Sequence, residues 1–163
     1  MPKIVAAALA LYSAYLIQTS LPNLPPRIPV HFNAAGQPTG WGSSQTLWVL
    51  LAFQVLVALV MLSISFWSRR FPGSVNLGSQ KLSDYAPEQR ESILPLLDRM
   101  AGWLSVFTSL FFVVIISEAI RAAGSPHPQF YVGRAAVLFV ICMVGVAFYY
   151  VWLIKRVARS AQP

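Results

Sequence analysis

The sequence predicts an all-α integral membrane protein: a four-span transmembrane helix bundle with a short extended-and-turn cap between helices 1 and 2. Three observations predict it. Of 163 residues, 56% are hydrophobic and only 10% charged, against about 25% charged in soluble domains, so polar surface for a water-soluble globule is lacking. Four apolar runs approach or reach the roughly 20 helical residues that the hydrocarbon core of a bilayer requires. Basic residues cluster outside those runs, and Trp41, Trp48, Trp67, Trp103 and Trp152 fall near their ends, as interfacial anchors do. One membrane domain over residues 1–163 accommodates all of this.

Each run is expected to be helical, because inside lipid the backbone must pair within its own segment. The first, about residues 4–20, is short and interrupted by Tyr12, Tyr15 and Gln18. Lys3 before an apolar stretch is also how a signal peptide begins. The exit QTSLPNLPP offers no small-x-small cleavage site, so a retained anchor is expected. Ala6, Ala10 and Ala14 recur every fourth residue and predict a close-packing face, a role assigned also to Gly145 in the fourth run. The second run, 47–67, holds Gln54 about 10 Å deep. An interhelical hydrogen bond is expected there, with a place on a substrate path as the alternative. The third, 101–120, carries Glu118 roughly 26 Å beyond Ala101, near its far interface. Arg121 comes at i+3, so an interfacial ion pair is expected, the alternative being a functional intramembrane charge. The fourth run covers 135–154 and contains the only cysteine, Cys142, so no intrachain disulfide can form.

Four spans put the N-terminus, the loop 68–100 and the C-terminal tail on one side. That side holds Lys3, Arg69, Arg70, Lys81, Arg90, Arg99, Lys155, Arg156 and Arg159, and the other only Arg27, Arg121 and Arg134. The positive-inside rule predicts a multi-pass protein of the cell (inner) membrane with both termini cytoplasmic. The net charge of +7 is then explained by juxtamembrane attraction to anionic lipid. No basic helix or aromatic platform suggests nucleic acid. In the cytoplasmic loop, APEQRESILPLLDRM predicts a helix starting at Pro87 with Glu88 in its first turn. Its apolar side is Ile93, Leu94, Leu97 and Met100, and Pro95 is expected to break or bend it before the third span. It is expected to rest on the inner leaflet, with docking of a partner as the alternative.

The outer loop 21–44 contains LPPRIPVHFNAAGQPTGWGS. In IPVHFN the apolar Ile28, Val30 and Phe32 alternate with Pro29, His31 and Asn33, predicting a short extended segment with His31 and Asn33 on one face. Three prolines remove ladder donors, so any strand is an edge or a lone extended piece. Asn33-Ala34-Ala35-Gly36 predicts a turn with Gly36 at positive φ. Gln37-Pro38-Thr39-Gly40 predicts a second, type I turn. Ser43 or Ser44 is expected to cap the second helix, and Phe32 and Trp41 to anchor the unit at the membrane surface.

The stretch PPRIPVHFNAAGQPTGWGS resembles the hallmark, Ile-Pro-x-His-Phe-Asn, then Gly, then Gly-Trp-Gly, of a bacterial and archaeal membrane module of unknown function. That module is found at the N-terminus of immunity proteins against the sporulation-delaying toxin. The loop VNLGSQKLSDYAPEQRESILPLLDRMAGW is similar to the next segment of short, stand-alone members. The resemblance marks Pro29, His31, Phe32, Asn33, Gly36, Gly40, Trp41 and Gly42 as motif residues and possible binding residues. Thr39 departs from the acidic residue common in the family, and Ser44 from its lysine, so a carboxylate at that turn is not available to this chain. The longer immunity members have further C-terminal spans.

Enzyme motifs are missing: no Gly-rich phosphate loop, His-Glu-x-x-His, Gly-x-Ser-x-Gly or pair of intramembrane carboxylates. A non-enzymatic module for recognising an extracytoplasmic peptide or protein partner, without cofactor, is therefore expected, in line with the immunity or signalling role the resemblance implies. A small transporter or channel component using Gln54, Glu118 and Arg121 is the alternative, and a membrane metalloenzyme the third reading. No metal site is expected: His31, His127 and Glu118 obey no ligand spacing. For His31 a structural role, bonding to its own turn, is preferred over ligand contact or proton relay. Nothing in the sequence sets an oligomeric state.

Overall fold

The computed structural model describes residues 1–77 and 80–160, with side chains to 157. Loop positions 78 and 79 and the side chain of Arg159 lie outside the described residues. The helices are α1 (Pro2–Ser20), α2 (Thr46–Arg70), α3 (Pro87–Ala123) and α4 (Gly133–Ser160), with strands β1 (Arg27–Phe32) and β2 (Pro38–Ser43) between α1 and α2. All four helices are long and apolar enough to cross a membrane. The chain is a multi-pass membrane protein with an all-helical bundle and a small two-stranded cap.

Helix α3 is the hub: it packs against each of the other three, while α1 and α2 meet less extensively. Its sequence suits that position, because the buried face carries small residues, among them Ala101, Gly102, Ser105, Ser109, Ala119, Ala122 and Ala123. Small side chains let helix backbones approach closely in lipid, where packing replaces the hydrophobic drive. Gly102 shows how close: a Cβ there would lie 2.8 Å from Cγ of Pro2. On α1 the buried line is Ala6, Ser13 and Ile17, and Ala10 and Ala14 flank it half-buried. Gly145 does not close-pack as expected. It is exposed, and a Cβ there would meet nothing within 4 Å.

The interior is layered. At the cap end Ile17, Ile28, Leu47, Ile116, Ala119 and Ala123 form one apolar cluster. At the end that bears both chain termini, Leu82, Ile93, Leu97 and Ile154 form another. Between them lies a polar seam of fully buried Ser13, Gln54, Ser105 and Ser109. Gln54 Nε2 donates to the Ser109 carbonyl at 3.4 Å, and nearer the terminus-bearing end the Ser65 hydroxyl donates to Asp98. Both contacts join α2 to α3. Asp98 also forms an ion pair with Lys3 at 2.7 Å, tying the start of α1 to the same point.

One helix, not two, runs through Pro95. A proline removes one backbone hydrogen bond and usually bends or ends a helix. Here Pro95 and Glu91, whose carbonyl loses its donor, are both exposed, so the missing bond falls on an exposed face of the helix. The apolar side Ile93 and Leu97 packs against Leu82 and Ile154 of the same chain instead of lying on a leaflet. The connecting segment folds to deliver Leu82: two single 3-10 turns, Pro72–Ser74 and Leu82–Asp84, flank an Asn76–Lys81 bridge. The Leu82 N–H donates to Val75 O at 2.8 Å, and Asp84 Oδ2 accepts from the Lys81 N–H at 2.8 Å.

Candidate functional site

The motif residues build one hairpin. β1 and β2 pair antiparallel, with Ile28 opposite Gly42, Pro29 opposite Trp41 and His31 opposite Gly40, and register shifts around His31. The expected second turn at Gln37–Gly40 does not form, because Pro38, Thr39 and Gly40 belong to β2. A two-stranded ribbon has only edges, so Pro29 and Pro38 are tolerated. The turn at Asn33–Gly36 does form: the Gly36 N–H donates to Asn33 O at 2.9 Å, and Gly36 has φ +77°. Asn33 holds it, its Oδ1 accepting from the N–H groups of Ala35 at 3.0 Å and Gln37 at 2.9 Å. Such side-chain bonds to a turn's own backbone are what favours Asn there.

Each glycine of the motif has a separate steric cause. At Gly36 a Cβ would lie 2.6 Å from the Phe130 carbonyl oxygen. At Gly40 it would lie 2.9 Å from Cδ2 of His31, and at Gly42 3.0 Å from a methyl of Val30. The His31 ring therefore lies across Gly40 and faces outward, exposed. It does not bond its own turn, as the sequence led one to expect; Asn33 has that task. Trp41, opposite Pro29 in the pairing, is 51% exposed, with Arg27 Nη2 donating to its carbonyl at 3.5 Å. The Ser43 hydroxyl accepts from the Gln45 N–H at 3.2 Å. That bond falls just ahead of α2, whose N-cap residue is Gln45 without a side-chain cap, so neither serine caps the helix as expected.

The hairpin is latched to the loop between α3 and α4. The Phe130 N–H donates to Gly36 O at 3.0 Å, and the rings of Phe32 and Phe130 stack with centroids 4.7 Å apart. Beneath them is an apolar cavity of about 160 Å³ lined by Ile28, Val30, Phe32, Leu50, Ile115 and Phe130, among others. The loop is fastened in turn to α3. Arg121 meets Glu118 in a forked pair, Nη2 to Oε2 at 2.7 Å and Nε to Oε1 at 3.1 Å. The same guanidinium donates to Gln129 O at 2.7 Å and lies 5.2 Å from the Tyr131 ring centroid, while Glu118 Oε2 accepts from the Tyr131 N–H at 3.3 Å. A forked arginine–carboxylate pair fixes geometry as well as charge.

The structure brings together the motif residues, Phe130 and the Glu118–Arg121 pair, and leaves the others apart. Gln54 belongs to the buried seam, below the cap. Among the described residues no group of three His, Cys, Asp or Glu side chains could hold a metal ion. Glu118 is committed to Arg121, and the backbone N–H of His127 donates to the Ser125 hydroxyl at 3.2 Å. Phe130 is a site residue that the sequence does not signal, as nothing in SPHPQFY announces a docking partner for Gly36. The seam serines did carry a signal: Gly102, Ser105 and Ser109 recur at helical spacing, the mark of a close-packed polar face.

No curated protein and no solved structure matches this chain. A family model does: residues 4–55, which carry α1, the hairpin and the first part of α2, match the domain of unknown function DUF1648.

Proposed function

We propose that the chain is a non-enzymatic recognition module whose hairpin engages an extracytoplasmic peptide or protein partner and whose terminus-bearing end, facing the cytoplasm, reports the event. The carrying observation is the latch. His31 and Trp41 are exposed on a hairpin whose turn bonds to Phe130, and the Phe130 loop is held by Glu118 and Arg121 of α3. From there α3 runs unbroken to Pro87. A load on the hairpin thus bears on a single continuous helix that also carries Asp98 and part of the Leu82 cluster. The nine-to-three distribution of basic residues supports the orientation. The resemblance read in the motif to a module found in toxin-immunity proteins supports a peptide as the ligand.

The test is hydrogen exchange on protein in nanodiscs, challenged with secreted amphipathic peptides. A binding peptide is expected to protect residues 27–43 and to change exchange in 80–99. His31→Ala should weaken the first effect, and Gly36→Val should abolish the second. Protection of the hairpin with no change at 80–99 would leave a binding module and refute the reporting role. No protection by any peptide would overturn the reading.

A further inference from the structure

At the terminus-bearing end a cavity of about 290 Å³ opens between the last turn of α2 and the first turns of α3, lined by Ser68, Arg69, Pro72, Leu82, Arg90 and Leu94, with Pro87 and Glu91 at α3's start. We propose that this cavity binds the phosphate ester of an anionic phospholipid headgroup or a soluble molecule carrying the same group.

Four observations converge on it. Among the described residues the Arg90 Nε is buried without a hydrogen-bond partner, and a buried guanidinium N–H without an acceptor carries an unrelieved desolvation cost. Among the described residues neither Arg69 nor Arg90 forms an ion pair, in contrast to Lys3 and Arg121. Arg69 and Arg90 both line the cavity, and a guanidinium fork is the group that fits two phosphate oxygens. The first turn of α3 adds the partial positive charge of a helix start, which Glu88 in the same turn offsets in part. Its depth also fits. The 25 residues of α2 span about 37 Å, against a hydrocarbon core of about 30 Å. Arg69 in its last turn therefore lies at headgroup level, next to Trp67, which is 53% exposed. Leu82, Leu94 and Pro72 offer the apolar wall that a glycerol backbone would touch. Glu91 is the carboxylate in the lining, and it opposes an anion there, as does Asp98, whose charge acts on Arg69 from outside the cavity.

The experiment is native mass spectrometry of the full chain released from nanodiscs of phosphatidylglycerol and phosphatidylcholine mixed equally. Wild type is expected to retain phosphatidylglycerol preferentially. Arg69→Gln with Arg90→Gln should reduce retention about tenfold or more, the scale of losing charge-assisted hydrogen bonds. Glu91→Gln should raise it, and Arg156→Gln, a basic residue on α4 outside the cavity, should leave it unchanged. Thermal shift with glycerol 3-phosphate in pure phosphatidylcholine separates the sources: stabilisation that the double variant loses assigns the site to soluble esters, and lipid retention without it assigns the site to headgroups. Equal retention of both lipids by wild type together with no glycerol 3-phosphate shift overturns the proposal. So does an equal loss in Arg156→Gln, which would reduce the effect to general surface charge.

Discussion

Gly36→Ala should detach the hairpin from the α3–α4 loop while leaving the helices folded. Two separate penalties act. An L-residue at φ +77° costs about 1–2 kcal/mol relative to glycine. The new methyl would also sit 2.6 Å from the Phe130 carbonyl oxygen, and the obstacle is backbone, which cannot swing aside. Moving Phe130 away breaks its 3.0 Å bond to Gly36 O, worth about 0.5–1.5 kcal/mol. It also separates the Phe32–Phe130 stack, worth about 0.5–1.5 kcal/mol more. Together these give roughly 2–5 kcal/mol of local destabilisation, or about 30-fold to a few thousand-fold faster exchange at the latch amides. The assay is hydrogen exchange resolved to Asn33, residue 36 and Phe130, with amides of mid-α3 as the internal reference. Gly36→Asn separates the causes, since Asn tolerates the left-handed conformation but still carries a Cβ. Contact with Phe130 makes Asn nearly as harmful as Ala, whereas backbone strain alone would spare it. Acceleration below about threefold in Gly36→Ala would show that the latch does not hold the hairpin, since each of the three contributions alone predicts at least about twofold and together far more.

Gly145→Ala should raise the melting temperature, because the site is exposed with open space around it and replacing a mid-helix glycine by alanine gains about 0.5–1 kcal/mol; a fall would reveal a partner packed on that face. Gln54→Leu should change stability by less than about 1.5 kcal/mol, since its Nε2 bond is long at 3.4 Å and its Oε1 has no partner; a larger loss in a thermal melt in detergent would mean the amide is fully engaged. A double-mutant cycle on Lys3 and Asp98 should give a coupling of about 1 kcal/mol or less, the partners being 47% and 35% exposed, and the coupling should fall on raising salt. Glu118→Gln should loosen the loop before α4, because it removes the charge from the forked pair and weakens the hold on Tyr131; unchanged exchange at 125–131 would contradict it.

The spans are legible in the sequence because lipid leaves the backbone few options: an apolar run of sufficient length must be helical wherever it lies. The turn at Asn33–Gly36 is legible for an equally local reason, as Asn bonds its own backbone and Gly alone adopts positive φ at no cost. Pro38-Thr39-Gly40 misleads because its local proline-turn pattern is outweighed by pairing with β1, a contact the sequence does not display. Pro95 misleads for a related reason. Its disruptive effect is intrinsic, but its tolerance depends on which way Glu91 faces, and that is decided by Leu97 and Ile93 packing on Leu82 and Ile154. The role of Phe130 is not legible at all: it is chosen for what it does to Gly36, about ninety positions away in the chain.

The buried seam constrains what kind of device the bundle can be. Among the described residues the hydroxyls of Ser13, Ser105 and Ser109 and the Oε1 of Gln54 are buried without partners, each a standing cost that apolar residues of similar size would avoid. Two functions would justify polar groups there: a path for a polar solute, or a joint between helices that must repack. Many transport paths carry ionisable groups at mid-depth or broken helices; here α1, α2 and α3 are continuous and the seam residues are neutral. A joint needs small side chains that allow close approach, and the seam has them. The seam also sits between the two apolar clusters, where a small rotation of α3 against α1 and α2 would move both ends of the bundle at once. Serine-to-alanine substitutions there should accordingly stiffen the bundle, slowing exchange at 80–99 in the absence of any ligand, while a solute path would leave that exchange untouched.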